Sequence, residues 1–109
     1  MNDDPRAEVF QLQAEFCKSL ADPKRLMIIH ELRDGEKSVG ELAERLGLKQ
    51  SNTSQHLAVL RKAGVIAPRR EGNTILYSLT DPMIGRACDI VRDFIAGQLR
   101  SKQTLAGVI

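Results

Sequence analysis

"KQSNTSQHLAVLRKAGVI", residues 49–66, runs seven hydrogen-bonding side chains straight into leucines at helical spacing. A helix through this stretch turns Thr53, Leu57 and Leu60 to one face, which suits a core. Ser51 reads as its N-cap and Gly64 as its terminator. Gln50, Asn52, Ser54, Gln55 and His56, with Ser51, are left outward or flanking. Two readings follow. The polar residues are a solvated face behind a capping serine, or they are a surface that reads the donors and acceptors of another molecule. Glu and Lys form helix better than Asn, Ser and Thr, so a purely solvated face has little reason to use the poorer formers.

Working upstream, "SVGE" (38–41) is a capping box, Ser38 and Glu41 each satisfying the other's backbone N–H. Val39, Leu42, Ala43 and Leu46 mark a short helix that Gly47 stops. Two short helices joined across residues 47–49 make a helix-turn-helix over residues 38–63. Further upstream, Asp22 and Pro23 open a helix whose inward stripe is Leu26, Ile29 and Leu32, ended by Gly35. Before it, Val9, Leu12, Phe16 and Leu20 repeat at helical spacing from Ala7, with Phe10 and Cys17 beside them.

Downstream the period changes. "VIAPRR" and "TILYSL" are short extended segments flanking "EGN", a hairpin over residues 65–79 with a three-residue connection. Pro68 cannot donate to a ladder, so its strand is an edge or carries a bulge. Asp81 and Pro82 open a final helix over residues 82–100. Its apolar sector, from Met83 and Ile84 to Ile95 and Leu99, is too wide for one core and predicts contact with another subunit.

The order helix, helix, helix-turn-helix, hairpin, helix predicts a mainly α chain with a small β-hairpin, a winged helix-turn-helix. Its 109 residues make one domain, 1–109. The net charge of +2 is unevenly spread: residues 1–46 sum to −3, residues 47–72 to +4 and residues 73–109 to +1. A basic middle segment suits an anionic partner. Major-groove base edges match Gln, Asn, Ser, Thr and His side chains, and the N-terminal part of such a helix enters the groove. Lys49, Arg61 and Lys62 then reach phosphates, while Arg69, Arg70 and Asn73 near the hairpin tip suit the adjacent backbone or minor groove. Short apolar runs exclude a membrane-spanning helix. The acidic "MNDDPRAEVF" lacks an apolar signal region, which points to the cytoplasm. No glycine-rich phosphate loop is present and no histidine neighbours either cysteine, so an enzyme is not expected. A protein-interaction module on the same fold remains as an alternative, against which the basic hairpin counts.

"FCKSLADPKRLMIIHEL", "SVGELAERLGLKQSNTSQHLAVLRKAGVI" and "RREGNTILYSL" together resemble the ArsR/SmtB family of repressors, over about residues 10–95. The resemblance implies a homodimer through the first and last helices and binding to inverted-repeat operator DNA, relieved by a metal or another chemical signal. It also implies DNA contacts at Gln50, Ser51, Ser54 and Gln55, with Val39 at the start of the preceding helix and His56 as the family's usual histidine. The family's cysteine pair in the third helix is missing from "VGELAERL", and residues 82–100 hold Asp89 and Asp93 but no histidine. Neither ligand set is complete, so neither a metal nor another cofactor is expected. A persulfide-sensing branch places a cysteine where this chain has His30, and Cys88 lies earlier than that branch's second cysteine. Cys17 and Cys88 nevertheless fall on the two helices expected at the interface. They read either as small buried hydrophobes or as a thiol switch open to oxidation, persulfide or metalloid.

Overall fold

The computed structural model describes residues 4–108, with side chains through Lys102. Helices α1 (Pro5–Leu20) and α2 (Pro23–Leu32) lead into strand β1 (Lys37–Ser38). Helices α3 (Val39–Leu46) and α4 (Gln50–Lys62) follow, then strands β2 (Ile66–Glu71) and β3 (Thr74–Leu79) and the long helix α5 (Pro82–Val108).

Three Asp-Pro pairs start three of the helices. Asp4 accepts from the Arg6 N–H at 2.9 Å, Asp22 from Lys24 at 2.8 Å and Arg25 at 3.2 Å, and Asp81 from Met83 at 2.8 Å. Each aspartate satisfies orphan donors of the first turn while the proline presets the helical φ. The pair at residues 4–5 starts α1 two residues before the expected Ala7. In α3 the capping box forms as expected, with both Ser38–Glu41 bonds at 3.2 Å. Gly47 closes that helix at φ +67°, a left-handed conformation in which a side chain would be strained.

The cap of α4 departs from expectation. The helix begins at Gln50 with Lys49 at its N-cap and no side-chain cap bond, so Ser51 lies inside the first turn. The lone side-chain closure is Thr53 Oγ1, which donates to the Lys49 carbonyl at 3.0 Å.

The sheet has three strands where the sequence predicts two, in the order β1-β3-β2 and all antiparallel. Two-residue β1 pairs Lys37 with Tyr77 and Ser38 with Leu76. Lys37 is buried, and its ammonium donates to the Glu31 carbonyl at 2.8 Å, which ties β1 to the end of α2. Pro68 lies on β2, the other edge, where its missing donor costs no ladder bond. Glu71 pairs with Thr74, so the hairpin connection is Gly72-Asn73, two residues and not three. Gly72 has φ +61°, the sign a primed hairpin turn needs at that position.

The core joins Ile28, Ile29 and Leu32 of α2, Leu42 of α3, Leu57 and Leu60 of α4, and Val65 and Ile66. Phe16, Leu20, Tyr77, Leu79, Ile84 and Cys88 pack around it. Leu26, expected in the inward stripe, is 39% exposed, and Ile28 fills the place. Four consecutive apolar residues, 26–29, leave the helical phase open until neighbouring elements set it.

Two helices contribute little to this core. No described residue of α1 is buried. Val9, Phe10 and Leu12 on α1 are exposed, as are Ile90, Val91, Phe94, Ile95 and Leu99 on α5. The Cα radius of gyration is 17.2 Å, against about 13 Å for a compact chain of this length. The molecule is flattened, 58 × 46 × 22 Å, and its exposed apolar residues run as a strip along α5 with more on α1.

Candidate nucleic-acid interface

Helix α4 is fastened by Thr53, Leu57 and Leu60, all buried. That phase leaves Gln50, Ser51, Ser54 and Gln55 exposed and Asn52 half-buried. Among the described residues none of these five side chains makes a hydrogen bond within the chain, so their donors and acceptors are unspent. Lys49, Arg61 and Lys62 are exposed around them and take part in no described ion pair. Ser54, Ala58, Arg61 and Lys62 border a cleft of about 360 Å³ whose far wall is Tyr77 on β3. The cleft runs between α4 and the hairpin, so the helix and the wing form one surface.

His56 is not on that surface. Its side chain is 16% exposed and turned toward the start of α2. Nδ1 lies 3.3 Å from Arg25 Nη1, and Nε2 lies 4.0 Å from Asp22 Oδ1. Arg25 also donates from Nε to the Ser19 carbonyl at 2.7 Å. The imidazole therefore fastens α4 to the α1–α2 corner. Burial pushes the Asp22 carboxyl up, but the Arg25 and Lys24 N–H bonds and the nearby His56 and Arg25 charges outweigh it, and the group is held below the usual carboxylate range. Val39 is half-buried against the core at the start of α3.

The two wing arginines differ. Arg70, Asn73 and Arg69 are all exposed. Arg69 donates from Nε to Glu36 Oε2 at 3.1 Å and from Nη2 to Glu71 Oε2 at 2.9 Å, and Nη2 also bonds Glu36 Oε1. Glu36 is held below the usual carboxylate range by that guanidinium, and Arg69 is raised further above its own. No described ion pair involves Arg70. The pairing of Glu36 with Arg69 was invisible in the sequence, because 33 residues separate them and only the unforeseen β1–β3 ladder brings them together.

Behind this surface, Cys17 on α1 is exposed and Cys88 on α5 is half-buried, both as free thiols. Burial pushes the Cys88 thiol up, the Arg92 charge opposes it, and Cys17, near enough to act, adds to the rise. On the same helix Asp89 takes ion pairs from Arg33, just past the end of α2, and from Arg92, and Arg92 Nη2 lies 3.4 Å from His30 Nδ1. Among the described residues no three His, Cys, Asp or Glu side chains are placed to hold a metal ion.

Comparison with known proteins agrees with this geometry. Residues 22–67 match the model of "Bacterial regulatory protein, arsR family". The chain is 43% identical over 95 residues to the HTH-type transcriptional regulator Rv0081 of Mycobacterium tuberculosis, covering 86% of this chain and 83% of that one. The crystal structure of Rv0081 superposes with a TM-score of 0.78 at 42% identity, covering 92% of this chain and 98% of the other. The homodimeric winged helix-turn-helix DNA-binding domain Mb0332 of Mycobacterium bovis superposes with a TM-score of 0.81 at 27% identity, over 92% and 93% of the two chains. The HTH-type transcriptional repressor SmtB of M. tuberculosis is 36% identical over 92 residues, 84% of this chain and 66% of its own length. With a helix-turn-helix and wing forming one surface over a shared core, the chain belongs to the ArsR family of DNA-binding transcriptional regulators and is not an enzyme.

Proposed function

We propose that the chain is a homodimeric repressor that binds an inverted-repeat operator through α4 and the wing. The observation that carries this reading is the unspent hydrogen-bonding capacity of Gln50, Ser51, Asn52, Ser54 and Gln55 at the start of a helix in which the neighbouring Thr53 and His56 are used internally. Such side chains match the donors and acceptors of base edges. Lys49, Arg61, Lys62 and Arg70 around them, with Asn73 at the wing tip, suit phosphates, and phosphate contacts set register without reading sequence. The exposed strip on α1 and α5 supports pairing with a second copy, and the homodimeric relative Mb0332 points the same way. A two-fold dimer sets its recognition helices about 34 Å apart, one turn of DNA.

The test is binding to the chain's own promoter region. Ser54→Ala and Gln55→Ala should each weaken operator binding by about 1–3 kcal/mol, the worth of one side chain paired to a base edge. An equal weakening on random duplex DNA would remove these residues from sequence reading.

A second reading concerns release. Cys17 and Cys88 are electrostatic neighbours on the two helices that carry the apolar strip. Oxidation, or modification by a persulfide or trivalent metalloid, would change the packing of α1 against α5 and so the spacing of the α4 helices. Operator binding compared before and after mild oxidation, in wild type and Cys17→Ser, decides it; an identical response in both would dismiss the thiols.

A further inference from the structure

Strand alternation sends the two wing arginines to opposite faces of the hairpin. Arg70 faces Ile75 across the ladder and shares its face with Tyr77, which borders the α4 cleft. Arg69 faces Leu76 on the other side, where Glu36, just before β1, and Glu71 of its own strand reach it. Both oxygens of Glu36 engage Arg69, through Nε and Nη2. That is the two-pronged arrangement a DNA phosphate would otherwise use.

We infer that Glu36 and Glu71 restrain the grip of the wing on DNA by occupying Arg69, so that of the two wing arginines one is withheld from the phosphates and Arg70 is left to serve them. The inference rests on the wing lying against DNA as proposed above. Two carboxylates against one guanidinium leave this outer face net negative, so a phosphate approaching Arg69 meets repulsion before it can compete. The pairing is itself half-exposed, with the Arg69 side chain 53% accessible and that of Glu36 35%, where an ion pair adds little to fold stability. Its effect is therefore on the partner more than on the fold. Arg69 keeps Glu36 ionised well below neutral pH, so the restraint is in place at every physiological pH.

Phosphate contacts supply the sequence-independent part of DNA affinity, each adding about 0.9 to the slope of log affinity against log salt. Affinity for a random duplex and for the promoter fragment, followed by fluorescence anisotropy across a salt series, reads how many phosphates are engaged. Arg69→Ala alone should leave the wild-type slope unchanged. The double variant Glu36→Gln, Glu71→Gln should bind both duplexes more tightly at low salt with a slope steeper by about 0.9. Its advantage over wild type should then shrink about three-fold between about 50 and about 200 mM salt. Adding Arg69→Ala to that variant should remove the extra slope. A shallower slope for Arg69→Ala alone would overturn the inference, since Arg69 would already be on a phosphate. Equally fatal would be an unchanged slope in the Gln variant, or an extra slope that survives removal of the Arg69 guanidinium. Wild-type protein that binds neither duplex at low salt would instead bring down the DNA-binding role of the wing, and this inference with it.

Discussion

Thr53 and Ser54 are adjacent, chemically alike and oppositely employed. The Thr53 hydroxyl is buried and bonded to the Lys49 carbonyl, closing the first turn of α4 from inside. The Ser54 hydroxyl is exposed beside the cleft with no partner in the described chain. One step of about 100° around the helix separates a structural hydroxyl from one available to a ligand. Cys88 gives a similar lesson in the other direction. Its burial favours the neutral thiol, and the thiolate is the nucleophile, so Cys88 is slower to react at neutral pH than an ordinary exposed thiol. In Cys17→Ser protein, alkylation of Cys88 should lag behind a free thiol near pH 7 and keep accelerating above the ordinary thiol range, about pH 8.5. A rate that levels off below that range would mean an activated thiolate, which the burial of this residue argues against.

At the scale of elements, legibility tracked the length of each pattern. The inward phase of α4 was readable because Thr53, Leu57 and Leu60 repeat over two turns with polar residues between them. The Asp-Pro starts and the Ser38–Glu41 box were readable because their chemistry is local. β1 was not, since two residues carry no alternation and their pairing depends on a strand some forty positions away. The inward turn of His56 was hidden for the same reason, its partners Asp22 and Arg25 being on another helix. The sequence predicts the hairpin but makes its connection one residue too long, because Glu71 looks like a loop residue and behaves as a strand residue. The short connection puts weight on Gly72 at φ +61°. Gly72→Ala should lower unfolding stability by about 1 kcal/mol, read from the urea midpoint. It should also weaken DNA binding by loosening the wing, whereas an unchanged midpoint would show that the turn relaxes freely.

Taken whole, the molecule is too extended for a chain that completes its own core. A radius of gyration of 17.2 Å and an α1 without a buried residue are what one half of the proposed dimer would show. Apolar strips of this kind on soluble proteins mark association surfaces. Phe94→Glu, in the middle of the α5 strip, should convert a dimer to a monomer in sedimentation experiments. It should also cost about 100-fold in operator affinity, because two sites are no longer engaged together. If sedimentation instead shows wild type as a monomer at micromolar concentration, the paired reading fails. Which faces Arg69 and Arg70 occupy depends on how the whole wing is threaded. Side chains on a strand alternate with a period of two, so parity governs the threading. Inserting one uncharged residue between Arg70 and Glu71 would exchange the faces of the two guanidinium groups, setting the free one against Glu36 and the bound one toward α4. Such a frame error would leave composition and net charge almost untouched while turning the wing inside out. Length changes in this hairpin should therefore be tolerated in pairs and penalised singly.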